Sequence, residues 1–230
     1  MQVKGFIETS FVDWDGRISS VVFTPGCNFR CPFCHNAGLV LKPEEYEDYP
    51  VEEIFKFLKK HNDFIDGVVI TGGEPTLQSD LKEFCRAIKA LGIGIKLDTN
   101  GTNPAVLKQL VDENLVDYVA MDYKAPIDEY KKAIGVDFDT GKVKESVSIL
   151  MDSDINYEFR STVVPGMHTK LDVEKISEEL KGAKLLVLQK FFPGHCLDPS
   201  LNSLKPQTDE EMEELKQTAE KNVNAKWRGH

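Results

Sequence analysis

The chain has 230 residues and a net charge of −10, and it carries no long basic block, which argues against a duplex nucleic-acid binder because duplex phosphates require a positive footprint. Apolar residues make up 41% and charged residues 29%, proportions of a soluble globular protein with one sizeable core or two small ones. No stretch approaches the ~20 apolar residues of a membrane span, and Met1-Gln2-Val3-Lys4-Gly5 lacks the apolar run of a secretory signal, so the chain reads as cytoplasmic.

In chain order, the first apolar, β-branched run is Ile18–Phe23. After a cysteine-bearing loop, Val51, Ile54, Phe55 and Leu58 fall at i, i+3, i+4, i+7, the spacing of one helix face. Gly67–Thr71 is the next strand pattern, and Leu81, Phe84, Cys85 and Ile88 repeat the helical spacing. Ile93–Asp98 is followed by Leu107, Leu110 and Val111 on one face behind the start signal Asn103-Pro104. Tyr118–Asp122 precedes the stripe Val143, Val147, Leu150. Tyr157–Val164 precedes Val173, Ile176, Leu180, and Lys184–Gln189 is the sixth strand run. A capping box, Thr208 with Glu211, opens a helix bearing Met212 and Leu215. Lys42–Pro50 reads as a polar, acidic connector, and the stretch through Trp227-Arg228-Gly229-His230 gives no assignable element. With no repeat, low-complexity segment or linker, residues 1–230 read as one domain, its core about 16–193 and its C-terminal extension about 194–230.

Strand–helix alternation of this kind implies right-handed βαβ units on a parallel sheet, an α/β fold. Periodicity leaves two architectures open, a doubly wound sheet and an incomplete barrel. In either, a site belongs at the carboxyl ends of the strands.

The first strand run ends in Cys27-Asn28-Phe29-Arg30-Cys31-Pro32-Phe33-Cys34-His35-Asn36. Five cysteines is an odd number and three lie within eight residues, a pattern of metal binding rather than of a secreted disulfide scaffold. Three thiolates on one short loop can each reach a separate iron of a cubane cluster, which then leaves the fourth iron without a protein ligand. An electron carrier normally has four cysteines, and a structural zinc site also wants a fourth ligand. His35 is the alternative fourth zinc ligand, although chelation by adjacent residues is awkward. Cys85 lies on an apolar helical face and reads as packing. His195 and Cys196 stand near the end of the sixth strand without a clear assignment.

Three further strand ends carry unusual polar residues. Gly72-Gly73-Glu74 follows the second run, where two glycines allow close ligand approach and a carboxylate accepts from an ammonium. Asp98 with Thr99 ends the third run, and Asp122 with Lys124 ends the fourth. Arg160 sits amid apolar neighbours and must be paired or face a cavity.

The C-x3-C-x-aromatic-C loop after a first strand resembles the motif of the radical S-adenosylmethionine (SAM) superfamily. The resemblance implies an incomplete (β/α)6 TIM-like barrel of parallel strands with a C-terminal helical extension. It implies one four-iron–four-sulfur (4Fe-4S) cluster on Cys27, Cys31 and Cys34, whose open iron is chelated by the SAM amino and carboxylate groups. By the same resemblance Phe33 lies near the adenine and Gly72, Gly73 and Glu74 meet the SAM amino group. Asp98 and Asp122 lie around the SAM carboxylate, in some members with a monovalent cation, and Thr99 is a further cofactor-binding residue. Lys124 faces the carboxylate or the substrate, and Arg160 helps fix SAM. The alternatives are a loop aromatic that only covers the cluster, a plain Asp122–Lys124 salt bridge, and a structural pairing of Arg160.

Within the superfamily, Cys31-Pro32-Phe33-Cys34-His35-Asn36, Asp98-Thr99-Asn100-Gly101, Asp122-Tyr123-Lys124 and Arg160-x3-Val164-Pro165-Gly166 resemble the glycyl-radical-enzyme activases. Ser10-x-x-Asp13-x-x-Gly16 resembles the anaerobic ribonucleoside-triphosphate reductase activating proteins. The resemblance runs from about Gly5 to Pro193 and thins towards the tail. It implies an oxidoreductase that reductively cleaves SAM to a 5′-deoxyadenosyl radical and installs a glycyl radical on a large partner, an anaerobic ribonucleotide reductase. It also implies a flavodoxin- or ferredoxin-type electron donor, with no nucleic acid and no membrane. Only Cys85 and Cys196 are spare, so a second four-cysteine cluster is impossible within one chain. The competing readings are a radical SAM enzyme acting on another glycyl radical enzyme, a peptide or a small molecule, and a non-catalytic iron–sulfur or zinc protein.

Overall fold

The computed structural model describes Met1–Gly229. Eight strands join into one sheet in the order of the chain: β1 (Gly5–Ser10), β2 (Ser19–Thr24), β3 (Gly67–Gly72), β4 (Gly94–Thr99), β5 (Tyr118–Asp122), β6 (Asn156–Val163), β7 (Leu186–Lys190) and β8 (Ala225–Arg228). β1 runs antiparallel to β2, and every other neighbouring pair is parallel. A doubly wound sheet reverses its strand order at a switch point. This order never reverses, so successive right-handed crossovers keep turning the same way and curl the sheet into an open barrel wall, with β1 and β8 as its edges.

Between the strands lie α1 (Ala37–Leu41), α2 (Val51–Lys60), α3 (Leu81–Lys89), α4 (Pro104–Asp112), α5 (Tyr130–Ile134), α6 (Gly141–Met151), α7 (Lys170–Glu179) and α8 (Asp209–Ala219). The expected apolar stripes are the faces they bury: Ile54 and Leu58 on α2, Phe84, Cys85 and Ile88 on α3, Val143 and Leu150 on α6. Fully burying a side chain such as Ile54 or Leu58 contributes about 1.5–3 kcal/mol before entropy is counted. Among the described residues, no helix is long and apolar enough to cross a membrane.

Alternate residues of each strand serve different layers, because the side-chain period of a strand is two. Val22, Val68, Ile70, Ile95, Leu97, Val119 and Leu188 pack with the helix residues in one large apolar core. Val21 and Val69 point the other way and form a small separate cluster with Trp14. Trp14 comes from the β1–β2 loop and plugs the barrel interior, 6.2 Å from the Tyr118 ring. A Cβ at Gly67 would collide with the Trp14 ring, so the start of β3 must be glycine for the plug to fit.

The tail differs from the expected helical extension. The Thr208–Glu211 capping box and helix α8 are present, but the chain then adds β8 beside β7, a seventh parallel strand. β8 also reaches across the open barrel. Lys226 bonds Asp15 at 2.6 Å, and Arg228 pairs with Glu158 and, at 3.6 Å, with Asp15. β1 is a second addition, an antiparallel edge that includes Thr9 and Ser10.

Candidate active site

The cysteine loop leaves β2 at Thr24 and is pinned on several sides. Gly26 has φ +75°, a left-handed conformation that favours glycine. Its N–H donates to the Leu39 carbonyl at 2.9 Å, and its carbonyl accepts from Glu74 N–H at 2.7 Å. The Gly72-Gly73 turn packs directly on this loop. A Cβ on Gly73 would strike the Gly26 carbonyl, and one on Gly72 would strike Thr24. Asn36 donates to the Gly72 carbonyl at 2.7 Å, which gives the asparagine of the Cys-His-Asn string a physical role: it ties the cysteine loop to the glycine turn.

On the opposite side, the segment after β7 clamps the loop. Leu197 N–H donates to the Cys34 carbonyl at 3.1 Å and Asp198 N–H to the Pro32 carbonyl at 2.8 Å. His35 Nε2 lies 2.8 Å from the Phe192 carbonyl oxygen, which engages that ring nitrogen. Below, Arg30 N–H donates to the Ile134 carbonyl at the end of α5. Asn100 Nδ2 reaches Asn28 Oδ1 at 2.9 Å and lies 3.7 Å from Cys27 Sγ.

All five cysteines are free thiols. Burial pushes the Cys27 thiol up to about 11 and the Cys31 thiol up to about 12, and raises Cys34 as well. Thiolates become stable in such a loop when a metal's positive charge offsets the desolvation. Among the described residues, no three His, Cys, Asp or Glu side chains converge as they would on a single metal ion. The three loop cysteines instead line one cavity of about 390 Å³, within the usual size of a small-molecule site.

That cavity brings together every residue singled out in the sequence for the cluster and SAM. Phe33, Gly72, Gly73 and Glu74 line it with the cysteines, as do Asp98, Thr99, Asp122, Lys124 and Arg160. Cys85 is fully buried in the apolar core, and Cys196 is buried beneath the clamp, its N–H donating to Asn202 Oδ1. Phe33 is buried, 6.1 Å from the His168 ring and 5.8 Å from Lys124 Nζ.

Glu74 is fully buried and already well supplied with donors. Its Oε1 accepts from Thr76 N–H at 3.0 Å, Thr76 Oγ1 at 2.5 Å and Thr99 Oγ1 at 2.7 Å; its Oε2 accepts from Asn100 N–H at 2.7 Å. Burial still raises its pKa despite these bonds. The carboxylate therefore locks the end of β3 to the end of β4, in addition to lining the cavity.

The strand-end charges form an alternating ladder. Arg160 Nη1 bonds Asp98 Oδ2 and its Nε bonds Asp122 Oδ1, each at 3.0 Å. Lys124 Nζ bonds Asp122 Oδ2 at 2.9 Å. Lys96 Nζ stands 3.2 Å from Asp98 Oδ1. Burial opposes the charge of both aspartates, but Arg160 with Lys96 holds Asp98 below the usual carboxylate range, and Arg160 with Lys124 does the same for Asp122. Burial also opposes the charge of Lys124, and Asp122 keeps its pKa raised. The salt bridges weighed in the sequence are thus present, at the wall of the cavity.

Sequence reasoning missed Lys96. It lies two residues before Asp98 on β4, so the two share a face, and a lysine amid apolar strand residues was the available signal. Asn100, Thr162 and Gln189 also line the cavity and were not singled out.

A family model of the radical SAM superfamily matches residues 21–182, a span that includes the cysteine loop and Arg160. The chain is 36% identical over 230 residues to a proposed glycyl-radical enzyme activating enzyme of Methanocaldococcus jannaschii, covering 96% of this chain and 93% of the relative. It is 27% identical over 235 residues to the pyruvate formate-lyase 1-activating enzyme of Escherichia coli, covering 94% and 93%. Among solved structures, Streptococcus suis SuiB bound to its precursor peptide SuiA shares the fold, with a TM-score of 0.70 at 14% identity. That match takes in 91% of this chain, which spans about half (48%) of SuiB. With the superfamily model covering most of the sequence and a relative matched over nearly its whole length, the chain belongs to the radical SAM superfamily, among its glycyl-radical-enzyme activating enzymes.

Proposed function

We propose that this chain holds one 4Fe-4S cluster on Cys27, Cys31 and Cys34, binds SAM against it, and installs a glycyl radical on a large partner enzyme. The observation that carries this is the convergence of three loop thiols, the glycine turn and the Asp98–Arg160–Asp122 ladder on one cavity of about 390 Å³. The donor set fits the group, with three thiols on one loop and cations placed for a carboxylate. When bound and reduced, the cluster supplies the electron that breaks a SAM C–S bond, giving methionine and a 5′-deoxyadenosyl radical that takes a hydrogen atom from glycine. The protein's part is to orient and to exclude water. Gly72 and Gly73 let backbone approach the SAM amino group. Arg160 and Lys124 face its carboxylate, with their own charge balanced by the aspartates. Phe33 covers the cluster loop and offers an apolar face to the adenine. A flavodoxin- or ferredoxin-type protein supplies the electron.

For the partner we take an anaerobic ribonucleotide reductase, on the resemblance of Ser10-x-x-Asp13-x-x-Gly16. In the fold these residues build the β1–β2 loop: Ser10 Oγ bonds the Asp13 carboxylate, and Gly16 has φ +74°. Their support for the partner is the resemblance alone. The E. coli relative at 27% identity over nearly the full chain favours a second reading, a pyruvate formate-lyase-type partner. Anaerobic incubation of the reconstituted protein with SAM, reductant and each candidate separates the two. Electron paramagnetic resonance is expected to show a glycyl doublet with the reductase. A doublet only with the lyase would replace the partner, and none with any glycyl radical enzyme would overturn the activase reading.

A further inference from the structure

Lys96 is 4% exposed, on the inner face of β4, and the proposed function gives it no role. Its ammonium has two partners, the Asp13 carbonyl at 2.6 Å and Asp98 Oδ1 at 3.2 Å. Asp98 Oδ1 is buried and makes no aligned hydrogen bond, so Lys96 holds it by charge. With Lys96 counted, each of the four oxygens of Asp98 and Asp122 has one cationic neighbour: Lys96 and Arg160 on the first, Arg160 and Lys124 on the second. A metal ion entering this ladder would have to displace a cationic side chain from an oxygen already in use.

We infer that Lys96 is a built-in counter-cation of the SAM site: it positions Asp98 for the cofactor and takes the place of a bound monovalent metal ion. SAM binding by this chain then needs no sodium or potassium. The inference rests on the reading of the cavity as the SAM site. Lys96 does not line that cavity and acts through Asp98, so it is a positioning residue. Its anchor on the Asp13 carbonyl also fixes the β1–β2 loop, which links the plug of the barrel to the charge ladder at its mouth.

The test is a SAM titration of the cluster-loaded protein under anaerobic conditions, in sodium, potassium and tetramethylammonium buffers of equal ionic strength. The parent protein is expected to bind SAM equally in all three. Lys96→Ala opens a space at Asp98 and is expected to weaken binding about tenfold in tetramethylammonium, the loss of roughly one charge-assisted contact. Sodium or potassium is expected to restore much of that loss, and Lys96→Arg to bind as the parent does. A parent affinity that rises about tenfold with sodium or potassium, on the same scale, would overturn the inference without any variant. Weakening in Lys96→Ala that no cation relieves would also overturn it, leaving Lys96 a structural tie to the loop. A parent that binds no SAM in any buffer would sink the reading of the cavity itself, and this inference with it.

Discussion

Alanine at any one of Cys27, Cys31 or Cys34 is expected to abolish SAM cleavage, whereas Cys85→Ala keeps it. The loop offers three thiols to one cavity, and a cubane needs each of them for a separate iron. Losing one leaves two anchors and a second iron without a protein ligand, so SAM no longer meets a single open iron. Burial raises the pKa of all three loop thiols, so a vacant or partly filled loop reverts to neutral thiols that hold metal weakly. Cys85 is also buried, but it sits on the core face of α3 away from the cavity. Its loss costs packing only, about 1 kcal/mol for a small cavity. Iron and sulfide content, visible absorbance and 5′-deoxyadenosine release are the readouts. Full cleavage in a Cys31→Ala protein, or its loss in a folded Cys85→Ala protein, would contradict the assignment.

Removing Arg160 should be the most damaging single change outside the cysteine loop. Among the described residues, its guanidinium is the one group that bonds both Asp98 and Asp122, at 3.0 Å each. Arg160→Met keeps bulk but leaves two buried carboxylates at the ends of the neighbouring strands β4 and β5 with Lys96 and Lys124 as their remaining cations, and breaking a buried pair by deleting one partner costs about 3–5 kcal/mol. That is a large share of the ~5–15 kcal/mol that hold a domain folded. The loss should depend on pH with a definite sign. In the parent, both aspartates have folded values below their unfolded ones. Their stabilisation is therefore present above the ordinary carboxylate value and is lost as pH falls through the lowered one. The variant lacks Arg160's share of this stabilisation, so the gap between the two proteins should be widest near neutral pH and should narrow below about pH 4. Denaturant unfolding across pH checks it. A gap that stays constant from neutral to acid pH would mean that the ion pairs do not carry the effect. SAM affinity of folded Arg160→Lys, which keeps a charge but loses the two-pronged bond, should fall on the order of tenfold to a hundredfold.

The parallel strands β2–β7 were legible because each is covered on its outer face by helices, which leaves long apolar runs such as Gly67–Thr71. The strand-end motifs were legible for a different reason: glycine pairs, carboxylates and an isolated arginine have no ordinary place at the ends of apolar strands. What escaped was polar by necessity. β8 has four residues, and its Lys226 reaches Asp15 across the barrel opening while its Arg228 pairs with Glu158 on β6, so it carries no apolar run. β1 is an antiparallel edge whose residues are mostly partly or fully exposed. Helices α1 and α5 are single turns, too short for a periodic stripe. Lys96 and Glu158 occupy inner strand positions where a closed core would place apolar residues. Their alternation with Ile95, Leu97, Tyr157 and Phe159 hid a charged interior inside what reads as ordinary buried strand. The choice between barrel and doubly wound sheet rested on strand order, which local sequence does not encode.

The proposed function rests on one step, cleavage of SAM in this cavity at a cluster held by the three loop thiols. The most direct measurement is a single-turnover assay on the anaerobically reconstituted parent protein, with cluster content fixed by iron and sulfide analysis. SAM is added with and without reductant, and methionine and 5′-deoxyadenosine are counted by chromatography. Equal amounts of the two products, formed only with reductant and in proportion to the cluster present, are expected. Protein that carries its full cluster, binds SAM and releases neither product under reduction would contradict the account.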